Sequence, residues 1–113
     1  MSVIAPNKVI NHASGMVRSS DEGKTDYTLI MDGVMFERWA QHLTNGVKAG
    51  YEPRNWVRSI GNDLDGSIRN RAKASAFRHM IQWLNGSDTE DHAAAIIFNI
   101  NLYESIGQEE CQL

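Results

Sequence analysis

The stretch that most constrains the fold is Arg78 to Asn99, where two helix patterns are separated by a few turn-forming residues. Phe77, Met80, Ile81 and Leu84 follow the i, i+3, i+4, i+7 spacing of one helix face. The run ends at Asn85-Gly86, where glycine supplies a left-handed C-terminal cap. Ser87-Asp88-Thr89-Glu90 then fits a capping box, in which the Ser hydroxyl accepts from a first-turn amide and the Glu side chain reaches back to the Ser amide. A link this short makes the two helices antiparallel neighbours. It also gathers His79, Asp91 and His92 around one turn, so groups able to hold protons or metals lie where two helices meet.

Helical periodicity recurs upstream. From Val34 to Val47 the residues Phe36, Trp39, Ala40, Leu43 and Val47 form an apolar stripe, with Glu37, Gln41, Thr44 and Lys48 as a polar stripe beside it. Such a polar stripe is ordinarily the solvated face. Asn45-Gly46, Gly50 and Pro53 break the chain into a loop, Gly50 to Trp56, that holds Tyr51, Arg54, Asn55 and Trp56. That composition suits a ligand wall, although Trp56 could equally cover the bundle end and Asn55 cap a helix. Gly61 to Ser67 is turn chemistry. Its acids and glycines lack the closing Glu of a calcium loop, so Asp65 or Ser67 is expected to cap the next helix.

That next helix carries a small-residue face, Ala72, Ala76, His79 and Trp83, opposite the larger apolar face, and is expected to be buried on both sides. Basic Arg69, Arg71 and Lys73 near its start oppose the helix dipole, which nearby acids or a phosphate would relieve. In the last helix Asp91, Ala95 and Asn99 share one edge, and an Asn within the apolar run from Ile96 to Leu102 needs a specific hydrogen-bond partner.

The expected fold class is therefore all-α, a small helical bundle of three to four main helices with an irregular N-terminal arm. Residues 1–24 read as arm and linker, 25–106 as a single helical domain, and 107–113 as a flexible acidic tail; Thr25 to Met31 is expected to be briefly extended. The length allows one domain, and 42% apolar residues are enough for a core. A net charge of -3 argues against binding a long nucleic acid. The single cysteine, Cys111, excludes an internal disulfide and fits a reducing compartment. No membrane-spanning run and no leader pattern is seen, so a cytoplasmic location is expected.

Taken in order, Lys24-Thr25-Asp26, the Glu37 helix, Gly46-Val47-Lys48, Asn55-Trp56, Arg78-His79, Gln82-Trp83, Glu90-Asp91-His92 and Asn99 resemble the phage-associated dATP/dGTP diphosphohydrolase family. That family is MazZ-like and related to the all-α MazG nucleotide pyrophosphohydrolases. The likeness covers roughly residues 24 to 104.

The resemblance implies a helical bundle, usually a homodimer or higher homo-oligomer, that uses Mg2+ or Mn2+ to split a purine deoxynucleoside triphosphate into monophosphate and pyrophosphate. In a phage-encoded protein this would take place in the host cytoplasm. Matched residue by residue, it implies Glu37 and Asp91 as metal-ligand and catalytic candidates, with Glu90 behind them as a third ligand and His79 as a further catalytic candidate. Carboxylates suit Mg2+, which neutralises phosphate charge and acidifies water. Lys48, Arg54 and Arg78 would meet phosphate oxygens, Trp56 or Tyr51 would stack on the base, and Asn55 or Asn99 would bond to sugar or base.

The chain departs from the MazG pattern of Glu-x-x-Glu and Glu-x-x-Asp, because Ala40 and Ala94 interrupt both pairs. The acidic shell is thinner, and His79 and His92 are available to complete a mixed site. An HD-type phosphohydrolase would want His before Asp, and here the order is Asp91-His92. A protein that binds and sequesters a nucleotide without cleaving it is the competing reading.

Overall fold

A computed structural model of the chain describes residues 9–111, of which 108–111 are described by backbone alone. It divides into two units, residues 1–32 and 33–113.

In the first unit β1 (Val9–Asn11) pairs antiparallel with β2 (Val17–Ser19), with Ile10 opposite Arg18. The reversal closes through His12 N–H to the Met16 carbonyl at 2.9 Å, with Gly15 at φ +89°. The apolar pair Val9-Ile10, for which a short strand or contact with a partner subunit was open but a loosely ordered terminus was expected, lies in a strand; Val3-Ile4 falls outside the described residues. The stretch expected to be extended is instead a 3-10 helix, Tyr27–Ile30. Asp26 causes this by accepting from both the amide and the hydroxyl of Thr28, at 3.0 and 2.6 Å.

The second unit is a three-helix bundle of α1 (Val34–Lys48), α2 (Ser67–Leu84) and α3 (His92–Cys111). α3 is the hub, with both α1 and α2 packed against it. Its core is Ala72, Leu102 and Ile106, supported by Trp56, Ile68, Phe98 and Tyr103. α3 continues as helix through Cys111, beyond Gly107, where the tail was expected to begin.

The faces of α2 differ from expectation. Its small residues lie toward α3, with Ala72 buried and Ser75, Ala76 and His79 half-buried, and Ser75 and His79 meet Asn99 and His92 of the closely packed α3. Small side chains allow that close approach. The face of Phe77, Met80, Ile81 and Leu84, expected to be core, points away from it: Phe77 is 67% and Leu84 68% exposed. Trp83, assigned to the small face, is also exposed.

Helix ends follow local chemistry. α1 and α2 both stop in the same way, with an amide reaching back five residues across a left-handed glycine. Tyr51 N–H donates to the Gly46 carbonyl at 3.1 Å over Gly50 (φ +112°), and Ser87 N–H to the Gln82 carbonyl at 3.0 Å over Gly86 (φ +76°). The start of α2 is held by Asp63, whose two oxygens accept from the amides of Ile68 and Arg69 at 2.9 and 3.0 Å, while Asp65 accepts from Ser67. These acids offset the basic residues of the first turns.

The expected capping box does not start α3. The helix begins at His92, and Asp91 is the cap: its carbonyl accepts the first helical bond, from Ala95, and its Oδ1 accepts from the Ala94 amide at 3.1 Å. Ser87 lies outside the helix, with its hydroxyl 3.2 Å from His92 Nε2.

Candidate functional site

Residues 51–56 form one wall of a cavity of about 600 Å3, lined also by His42, Leu43, Thr44, Gly46 and Val47 of α1 and Phe98 of α3; the stretch expected to be loop throughout turns at Asn55 into a 3-10 helix, Asn55–Ser59. A space of this size falls in the range of small-molecule sites. The α1 terminator puts Tyr51 on the wall, where its ring packs over Gly46: a Cβ there would stand 3.9 Å from Tyr51 Cδ2. Trp56 lines the cavity with one side and meets the Ala72–Leu102–Ile106 core with another, so ligand wall and bundle cover coincide. Asn55 is also on the wall. Arg54 is the cation there, held at φ 63°, ψ 27°, a left-handed conformation unusual for a residue with a side chain. Glu52 is paired with Arg58.

A second group of polar side chains lies at the opposite end of α1's contact with α3. Arg38 grips Asp91 with two bonds, Nε to Oδ2 at 2.9 Å and Nη2 to Oδ1 at 2.5 Å. The guanidinium bonding holds the Asp91 carboxyl at about 2, against desolvation that pushes it up, with the Ala94 amide adding to the lowering. Across the α2–α3 junction His79 Nδ1 and His92 Nδ1 lie 2.9 Å apart, and Glu90 Oε1 is 3.8 Å from His79 Nδ1. His92 is 2% exposed, and its Nε2 faces the hydroxyls of Ser87 and Thr89 at 3.2 and 3.5 Å. Desolvation holds the His79 pKa below its ordinary value, partly countered by Glu90, while His92, Arg78 and His42 add to the lowering.

The residues singled out by sequence fall into separate places. Arg54, Asn55 and Trp56 share the cavity wall, and His79, Glu90 and Asp91 sit around the α2–α3 junction. Asn99 has the specific partners its setting required: its Nδ2 donates to the Ala95 carbonyl at 2.9 Å and to Ser75 Oγ at 3.2 Å, across to α2. Glu37 and Lys48 stand exposed on α1 and Arg78 on α2. Glu37 has no hydrogen bond or ion pair among the described residues.

Sequence reasoning overlooked Arg38 and His42. His42 lies on the cavity wall and tilts against Phe98 with ring centroids 5.5 Å apart. The available signal was their i, i+4 spacing, which puts two cationic or protonatable groups on one edge of α1, facing an acid at the start of α3.

The second unit is thus a small, mostly helical bundle that carries an aromatic-walled cavity and, apart from it, a histidine–carboxylate junction. Residues 14–109 match the family described as dATP/dGTP diphosphohydrolase, N-terminal, and the chain belongs to that family. Searches of curated proteins and of solved structures gave no match. The family's name places the chain among proteins of nucleotide hydrolysis. Among the described residues, no helix is long and apolar enough to cross a membrane.

Proposed function

We propose that this chain binds a purine deoxynucleoside triphosphate, dATP or dGTP, in the Tyr51–Trp56 cavity and hydrolyses it to the monophosphate and pyrophosphate. The observation that carries this is the cavity itself, whose wall combines two aromatic rings for a base, an amide for hydrogen bonding and one guanidinium for phosphate. Lys48 and Arg78, exposed nearby in sequence to the wall and to the junction, are further phosphate cations in the proposal, and Asn99 supports Ser75 and α3 from within.

A divalent cation of the Mg2+ or Mn2+ kind would neutralise the triphosphate and acidify the attacking water. Asp91 does not fit as its ligand in this arrangement, because Arg38 and the Ala94 amide engage both carboxylate oxygens. Glu37, exposed on α1, is the carboxylate left for it, and Asp91 instead positions Arg38 and α3. The commitment of Asp91 favours a second reading, in which nucleotide is held and sequestered uncleaved.

A homodimer completes the proposal. Phe77, Ile81 and Leu84 of α2 make an exposed apolar face with no cover from α3, and such a face is covered by a partner more often than it is left in water. The setting is a cytoplasm, that of the host for a phage protein.

Incubation of the protein with each deoxynucleoside triphosphate and Mn2+, with pyrophosphate as readout, tests the reading. Release from dATP or dGTP, abolished by Glu37→Gln with helicity intact, supports hydrolysis. Tight binding with triphosphate recovered whole supports sequestration, and neither binding nor turnover with any purine nucleotide refutes both.

A further inference from the structure

We infer that His79, His92 and Glu90 form a binding site for a divalent transition metal of the Zn2+ class, clamping α2 to the start of α3. The three offer one ligand atom each, all within 4.8 Å of one another. The two Nδ1 atoms face each other at 2.9 Å, a separation subtended at about 90° by a cation roughly 2.0–2.1 Å from each nitrogen. Glu90 Oε1, 3.8 Å from His79 Nδ1, supplies the third position, from the exposed side where water fills the remainder.

A further observation points to a ligand. Metal-binding histidines characteristically use the second ring nitrogen to hold the ring in place. His92 is placed for this: its Nε2 lies 3.2 Å from Ser87 Oγ, and in the tautomer that carries the proton on Nε2 the Nδ1 lone pair is aimed at His79. Metal entry then requires only that His79 carry its proton on Nε2 in place of Nδ1, with no change of net charge at that ring. Two imidazoles and one carboxylate select Zn2+, Co2+ or Ni2+ over Mg2+, which prefers oxygen alone. The site is separate from the triphosphate's own cation and does not depend on nucleotide hydrolysis. It also gives Ser87 a purpose that helix capping does not.

The test is calorimetric titration of Zn2+ into full-length protein stripped with chelator, with no nucleotide present, and Co2+ absorption as a report on nitrogen ligation. One Zn2+ per chain is expected, with a rise in melting temperature. His79→Ala should weaken binding at least tenfold and remove the melting shift, and Glu90→Gln should weaken it several-fold. His92→Ala removes a buried ring, so its helicity is checked by circular dichroism; the half-buried His79 and exposed Glu90 variants keep the test decisive if it unfolds. Ser87→Ala should weaken binding about tenfold through loss of the ring's support. The inference is overturned if no saturable Zn2+ binding occurs, or if the affinity is the same in His79→Ala and Glu90→Gln as in the parent.

Discussion

Arg54 carries two loads at one position. Its backbone occupies the left-handed region, which costs a residue with a Cβ roughly 1–2 kcal/mol, and its guanidinium is the cation of the cavity wall. Arg54→Gly separates them. Glycine adopts this conformation freely but loses more chain entropy on folding, so chemical denaturation should show a net gain of about 0.5–1 kcal/mol. Nucleotide affinity should fall in the same variant if Arg54 makes the proposed phosphate contact. A loss of stability instead would mean that the side chain, not the backbone, holds the loop. Tyr51 makes the complementary case: it is exposed, and Tyr51→Ala should leave the fold intact while weakening nucleotide binding about tenfold, the worth of one base–aromatic stack, as measured by calorimetry.

At the scale of elements, α3 is started by Asp91, which serves as cap and as partner to Arg38. Asp91→Asn keeps a good capping oxygen and loses the ion pair, so its effect on thermal unfolding should be small, as for exposed pairs generally. Asp91→Ala loses both, with about 1 kcal/mol more lost than in the Asn variant. Because the folded carboxyl titrates at about 2 rather than at the ordinary 3.8, the unfolded chain binds the proton more readily. The stability from this group is therefore fully present above about pH 4 and is lost as pH falls toward 2. Denaturation curves in chelator-containing buffer should show that loss flattened in Asp91→Asn.

Much of this was legible in sequence. The period of α1, the Asn85-Gly86 stop and the need for a partner at Asn99 are local patterns with local causes, and each stands. The start of α3 was not, because Ser87 and Asp91 are both good caps by residue type; in the fold the Ser87 hydroxyl sits beside His92 Nε2 and Asp91 takes the first-turn amide of Ala94. Periodicity likewise shows that Phe77, Ile81 and Leu84 share a face but not which face of α2 meets α3; in the fold that face is the one carrying Ala72, Ser75 and His79. His42 drew no notice in the sequence, because its place on the cavity wall depends on a loop and a helix brought to it by folding.

For the molecule as a whole, the outward apolar face of α2 sets the expected state of assembly. Sedimentation at micromolar concentration should show a dimer. Phe77→Glu with Leu84→Glu should convert it to a monomer of unchanged helicity, since these side chains contribute little to the single-chain core. If the double variant sediments like the parent, another surface joins the copies.

The matching terminators of α1 and α2 have one more consequence. Each is written in backbone hydrogen bonds and a single glycine, so neither relies on the side chains that follow it. The loop behind Gly50 is thus an interchangeable part: residues 51–54 should be replaceable as a block, as an exercise in protein engineering, to change which base is accepted while Trp56 stays against the core and the three helices keep their places.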